Sequence, residues 1–156
     1  MSKFIGVKAN KRSLCMRRPL NGVGINDAWY ITEFRNGEIR SVCPYYSRWK
    51  DMISRCYSFK YHERQPTYID CYVCDEWLTF SAFRLWMEKQ DWEGNQLDKD
   101  IRVKNNKQYS PVYCQFVTKE INTLFMDCGS KRGELPQGVC FQTTTGKYMA
   151  SISIRG

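Results

Sequence analysis

The residues best equipped for chemistry are few, and most lie close together. Asp98 and Asp100 flank Lys99, and Asn105-Asn106 follow after a short basic stretch. On an extended strand, alternate side chains share a face, so Asp98 and Asp100 would point one way and Lys99 the other. Two carboxylates on one face could hold a divalent cation. The competing reading is that they are ordinary ion-pair partners in a basic chain. Lys99 itself is a poor general base, because an ammonium with a pKa near about 10.4 carries its proton at neutral pH. The only histidine, His62, lies in a polar stretch 37 positions upstream of Lys99 (99 − 62) and reads as a surface residue. Cys71-Tyr-Val-Cys74 has the spacing of half a zinc site, but no second pair follows at short spacing. Buried reduced thiols are the expectation, with structural zinc as the alternative.

These residues need elements to place them. "NGVGIND" (21–27) is turn-rich, "AWYIT" reads as a short strand, and Asn36-Gly37 marks a hairpin or tight turn. Tyr46, Trp49, Met52 or Ile53, and Cys56 recur at helical spacing and predict a helix with one apolar face. "HERQPTYID" predicts a loop, followed by an extended segment over about 67–74. Trp77, Phe80, Phe83 or Arg84, and Met87 predict a helix over 75–90, its apolar stripe widened by Leu85 and Trp86. "LDKDIRV" reads as a strand, "KNNKQYSP" as a polar loop, and "VYCQFVTKEINTLFMDC" as a β element feeding a short helix. Strands over 139–141 and 148–154 are expected around the "TTTG" turn. The fold class is therefore α+β.

Composition bounds the partners. The 156 residues are 42% hydrophobic and 15% aromatic, enough to bury a core. No apolar run approaches a membrane span, and the basic N-terminal stretch does not resemble a signal peptide, so a cytoplasmic protein without a membrane partner is expected. The formal charge of +8 favours a polyanion. Lys3, Lys8, Lys11, Arg12, Arg17 and Arg18 precede the first acid, Asp27. Arg102, Lys104, Lys107 and Lys119 lie in a second acid-free stretch, 101–119.

The order of motifs resembles HNH nucleases encoded by phages, of the homing-endonuclease type. Leu97-Asp98-Lys99 is similar to the hydrophobic-Asp-His strand of that family, and Asn105-Asn106 to its loop. Pro111-Val112-Tyr113-Cys114-Gln115-Phe116-Val117-Thr118, with Glu120 and Asn122, is similar to its Pro-x-Asn-Leu-x-aromatic-Val-Thr segment and Glu-Asn. "GVGINDAWY", "YSRWKDMISRCY" and "CYVCDEWLTFSAFRLWM" extend the resemblance. "RGELPQGVCF" with "GKYMASISIRG" resembles the opening strands of an AP2-type DNA-binding domain.

The resemblance implies a degenerate ββα core with two helices plus a C-terminal β-hairpin. It implies three parts: a basic arm and strands (1–40), the HNH-like core (41–128) and the AP2-like hairpin (129–156). Lys99 stands where the family has its general-base histidine, and Tyr113 where it has the asparagine that orients that base. The implied function is sequence-specific binding of double-stranded DNA without cleavage, as a transcriptional repressor acting as monomer or homodimer in a bacterial host. No catalytic residue, metal or cofactor is expected. Lys8, Lys11, Arg12, Arg17 and Arg18 would lie along the DNA backbone or in the minor groove. Lys99, Arg102, Lys104 and Lys107 would hold phosphates, and Gln142, Lys147 and Arg155 would present the hairpin to DNA. The alternative is a metal-dependent endonuclease or nickase using Asp98 and Asp100 with an unusual base.

Overall fold

Aromatic side chains at helical spacing build the core, and short strands tie the remaining chain to it. The computed structural model describes residues 4, 6–37, 39–125, 135–136 and 138–151. The chain forms two compact units, Met1–Lys119 and Glu120–Gly156. The first unit therefore takes in both the expected arm and most of the expected core, and the division falls at 119/120.

Strand β1 (Val7–Lys8) leads into a short helix, α1 (Lys11–Cys15). The Asn10 side chain caps α1 by accepting the Ser13 N–H at 2.7 Å, satisfying one of the amides that a helix start leaves without a partner. The turn expected at 21–24 is present. Asn21 and Gly22 take positive φ, and Gly24 packs so tightly that a Cβ would sit 3.0 Å from the Trp49 ring. Strand β2 (Tyr30–Ile31) pairs antiparallel with β1, placing Lys8 opposite Tyr30. Strands β3 (Glu33–Asn36) and β4 (Ile39–Val42) form the hairpin expected around Asn36-Gly37, and Gly37 has a φ of 59°.

Helix α2 (Pro44–Tyr57) starts with Pro44, whose fixed φ and missing N–H suit a first helical turn. It buries Trp49, Met52, Ile53 and Cys56, the face expected from their spacing. Helix α3 (Phe59–Arg64) and a 3-10 turn, Pro66–Tyr68, occupy the segment expected to be a loop. No residue of α3 is buried, so it carries no apolar periodicity that would announce it. Strand β5 (Tyr72–Val73) covers only two residues of the expected extended segment.

The helix expected over 75–90 is broken. A 3-10 turn, Asp75–Leu78, is separated by extended Thr79 from α4 (Phe80–Met87). The break has a tertiary cause. The Ile25 N–H donates to the Leu78 carbonyl and the Phe80 N–H donates to the Ile25 carbonyl, so these groups pair across the molecule instead of along a helix. The stripe survives the break: Trp77, Phe80, Phe83 and Met87 are buried. Leu85 faces solvent, while Trp86 stacks on Phe116 with ring centroids 5.7 Å apart. The Trp49 indole N–H donates to the Trp77 carbonyl at 2.7 Å, joining α2 to the 3-10 turn at the centre of the core.

Strand β6 (Gln96–Asp98) is only three residues long. Strand β7 (Gln108–Tyr109) pairs parallel with β5, and β8 (Gln115–Val117) pairs antiparallel with β6. In the second unit, α5 (Lys119–Phe125) begins at the boundary. Further along, β9 (Val139–Gln142) and β10 (Lys147–Ala150) form an antiparallel hairpin around the expected Thr-Thr-Thr-Gly turn. Residues 152–154 of the expected last strand lie outside the described residues. Every sheet among the described residues is a strand pair. The buried hydrophobic cluster, not a continuous sheet, holds the first unit together. No helix among the described residues is long and apolar enough to cross a membrane.

Candidate functional site

The segment 96–117 does not lay Asp98 and Asp100 side by side on a strand. The Asp98 carboxylate turns back on the chain and its Oδ1 accepts the N–H groups of Asp100 (2.8 Å) and Ile101 (2.7 Å). That local side-chain-to-backbone bonding competes with a strand ladder, and it ends β6 at Asp98. The extended reading of "LDKDIRV" fails there, and so does the shared face for the two carboxylates.

Lys99 turns inward. It is 7% exposed, and its Nζ donates to Asp100 Oδ1 at 2.8 Å, Asp100 Oδ2 at 2.7 Å and the Asn106 carbonyl at 2.6 Å. An ammonium has three N–H groups, and all three are engaged. The faces of Tyr68 and Tyr109 lie 5.9 and 5.8 Å from Nζ, adding their negative quadrupoles to the cage. As folded, Lys99 holds a carboxylate and a carbonyl, not a phosphate. Composition alone places a lysine at the surface, since lysine is almost never buried unless paired.

Asn106, from the resembling loop, keeps this turn closed. Its Nδ2 donates to the Lys99 carbonyl (3.0 Å) and the Gln108 carbonyl (2.6 Å), and its Oδ1 accepts the Gln108 N–H (3.1 Å). Asn105 takes a φ of 60°, a left-handed conformation that asparagine tolerates better than most residues. Arg55, from α2, lies beside the buried Tyr109 hydroxyl. Burial pushes that phenol well above its usual value, so it stays neutral. Ser110, next to Tyr109, is also buried, and its hydroxyl has no hydrogen-bond partner among the described residues. Tyr113 is half-buried.

Of the other titratable candidates, Cys56, Cys71 and Cys114 lie close enough to feel the Lys99 charge, which opposes the larger effect of burial on their thiols. The His62 Nε2 lies 2.9 Å from the Arg55 carbonyl, so the ring is half-buried against α2. Cys71 is buried with its thiol directed at the Thr67 carbonyl, and Cys74 is half-buried. Burial raises both thiols, and it pushes Cys56 and Cys114 up to about 12. Among the described residues no three His, Cys, Asp or Glu side chains gather in a way that could hold a metal ion.

The expected DNA-contacting cations divide into two groups. Lys8, Lys11, Arg12 and Arg18 are exposed along β1, α1 and the residues just after it. Arg17, between them in sequence, is committed elsewhere. Its Nη1 donates to the Asn26 and Ala28 carbonyls and its Nη2 to the Tyr30 carbonyl, so it clamps the segment leading into β2. Arg102, Lys104 and Lys107 are exposed around the Lys99 turn. Arg102 donates to the Val112 carbonyl at 2.8 Å, and Lys107 reaches the Thr67 carbonyl at 3.3 Å. In the second unit Gln142 and Lys147 are exposed and face each other across the hairpin register. Arg155 lies outside the described residues.

Two features escaped the sequence reading. The inward commitments of Lys99 and Arg17 depend on carbonyls that no motif announces. Trp29, in the segment expected as a short strand, is 65% exposed, and its carbonyl accepts the Ala9 N–H next to β1. Comparison of the chain with protein-family models, with curated proteins and with solved structures gave no match.

Proposed function

We propose that the chain binds double-stranded DNA without cutting it and represses transcription by occupying its site. The observation that carries this reading is the set of exposed cations Lys8, Lys11, Arg12 and Arg18, set on ordered elements with no acid before Asp27. Lysines and arginines held at a surface neutralise phosphates and release condensed counterions, which favours binding to a duplex. The order of elements, antiparallel β6 and β8 followed in the chain by α5, supports descent from a nuclease-like ββα scaffold. The absence of cleavage is supported by the engaged side chains. Asp100 is bound to Lys99, Asp98 to two backbone amides, and the ammonium of Lys99 is in no position to take a proton from water. On a long site one copy suffices, and a palindromic site would take a homodimer.

Selection from a random duplex library, followed by anisotropy titrations of the best sequence at several salt concentrations, tests this reading. Four phosphate-holding cations give a slope of roughly −3 to −4 in log K against log salt. A chain that prefers no sequence over competitor DNA at physiological salt refutes sequence-specific repression. Nicking of that duplex with Mg²⁺ or Mn²⁺, abolished by Asp98→Ala, refutes binding without cleavage.

A further inference from the structure

We infer that Trp29 is a base-contacting wedge: its indole inserts against the bases of a duplex while the cations around it hold the phosphates. This rests on the DNA-binding reading and adds to it the residue that touches bases. All five tryptophans are described. Trp49 and Trp77 are buried, Trp86 and Trp92 are partly buried, and Trp29 alone is exposed, at 65%. Trp29 occupies a bend just ahead of β2, between buried Ala28 and buried Tyr30, and the bend leaves its ring largely in solvent.

The backbone that carries the ring is fastened on both sides. Arg17 holds the carbonyls of Asn26, Ala28 and Tyr30, and the Trp29 carbonyl accepts the Ala9 N–H at 3.1 Å. Asn26 Nδ2 bonds Thr32 Oγ1 at 3.0 Å, and the Tyr30 ring meets the indole edge-on, with centroids 5.3 Å apart. A backbone held this firmly loses little conformational freedom on binding, which makes it a suitable mount for an anchoring ring.

Its surroundings select the partner. The strand pairing sets Lys8 opposite Tyr30, and Ala9, bonded to Trp29, is followed within two residues by Lys11. Arg12 and Arg18 are exposed on and just after α1. The acid closest in sequence, Asp27, has its Oδ1 occupied by the Ser81 N–H at 2.9 Å. A large exposed ring on a segment whose backbone pairs with the cation-bearing β1 matches a polyanion with flat apolar faces, which describes nucleic acid. Proteins that bend DNA insert apolar side chains between base steps, and lysines and arginines hold the flanking phosphates. Single-strand binders instead stack successive bases on several aromatic rings. One isolated ring beside the cations therefore favours the duplex.

The test uses the full chain and a random-sequence 24-base-pair duplex at low salt. Acrylamide quenching of wild type minus that of Trp29→Phe isolates the Trp29 signal. The duplex is expected to suppress that quenching, whereas heparin, a polyanion without bases, leaves it largely intact. Trp29→Ala is expected to weaken duplex binding about tenfold with an unchanged salt slope, whereas Lys11→Ala lowers the slope by about 0.9. Undiminished affinity of Trp29→Ala, or full quenching in the complex, overturns the wedge while salt-dependent binding leaves the DNA-binding reading standing. Stronger protection by the single-stranded 24-mer overturns the assignment to a duplex. A wild-type chain that binds no duplex at low salt overturns both. Trp29→Ala removes an exposed ring, and unchanged emission from Trp49 and Trp77 checks its fold.

Discussion

Removing either member of the Lys99–Asp100 pair should destabilise the first unit, and the exposed partner should matter more. In Asp100→Ala the ammonium, 7% exposed in the native fold, keeps only one carbonyl and the faces of Tyr68 and Tyr109. An uncompensated buried charge costs about 3 kcal/mol. In Lys99→Met the stem keeps its apolar contacts, and Asp100, whose side chain is 47% exposed, returns to water. What is lost is chiefly one charge-assisted bond to the Asn106 carbonyl, about 1.5 kcal/mol. Urea unfolding followed by tryptophan emission reads the difference. With a slope of about 1.5 kcal/mol/M the midpoints fall by roughly 2 M and 1 M, respectively. The double variant should be more stable than Asp100→Ala alone, because the stranded cation is gone. Two results would refute this reasoning: a reversed order of the single variants, or an unchanged midpoint in Lys99→Met together with a duplex-binding salt slope lowered by about 1. Either would return Lys99 to the phosphate-holding role expected from the sequence.

Arg17→Lys should cost about 2 kcal/mol, because a point charge on a flexible stem cannot fork to three carbonyls; amide exchange over 28–32 should speed up while the DNA-binding salt slope stays the same. At pH 8 a thiol reagent should label exposed Cys15 and Cys140 at once, and Cys56 and Cys114 only after unfolding. Burial raises those last two thiols above the ordinary value, so the folded state keeps protons that the unfolded state releases. The corresponding stability is fully present below about pH 9 and is lost as pH rises toward about 12. The loss at pH 10.5 should be of the order of 1–2 kcal/mol per thiol, measured as a falling urea midpoint that Cys56→Ala flattens. Gly138 takes a φ of +79°, and a Cβ there would meet the Ser151 carbonyl oxygen at 2.8 Å. Gly138→Ala should therefore remove exchange protection from Val139–Ala150 while the unfolding midpoint of the first unit holds, and a shared loss would contradict the division at 119/120.

The helix faces were legible because burial imposes a period. Trp49, Met52 and Cys56, and likewise Trp77, Phe80, Phe83 and Met87, repeat at the spacing that brings side chains to one side. The Asn36-Gly37 turn and the hairpin around "TTTG" were legible because turn residues act locally. The break at Thr79 was not, because its cause is the backbone of Ile25, more than fifty residues away in the chain. Helix α3 was hidden because it buries nothing. The parallel pairing of Tyr72 with Gln108 was hidden because two-residue strands leave no alternation to detect. At the candidate site, the residue types around Lys99 were visible but its direction was not. Direction depends on Asp98 capturing two amides and on Asn106 closing the turn. Arg17 follows the same rule: charge is written in the sequence, but whether it serves a partner or the chain's own carbonyls is decided by the fold.

The parallel pairing of β5 with β7 also has an entropic meaning. The Tyr72 N–H reaches the Lys107 carbonyl and the Cys74 N–H reaches the Tyr109 carbonyl, so these bonds form only when a loop of some 35 residues closes. Tyr68 lies just before that loop, and Lys99 and Asn106 lie within it. Tyr109 lies at its far end. Local turns such as the Arg17 clamp, spanning 9 to 13 residues, face a smaller entropic barrier. Closing the Lys99 cage thus costs more chain entropy than forming the Arg17 clamp, about as much as the Tyr46–Phe80 contact of the core, 34 residues apart. The strand pair thereby ties Tyr109, one wall of the cage, to the segment following Tyr68, the other.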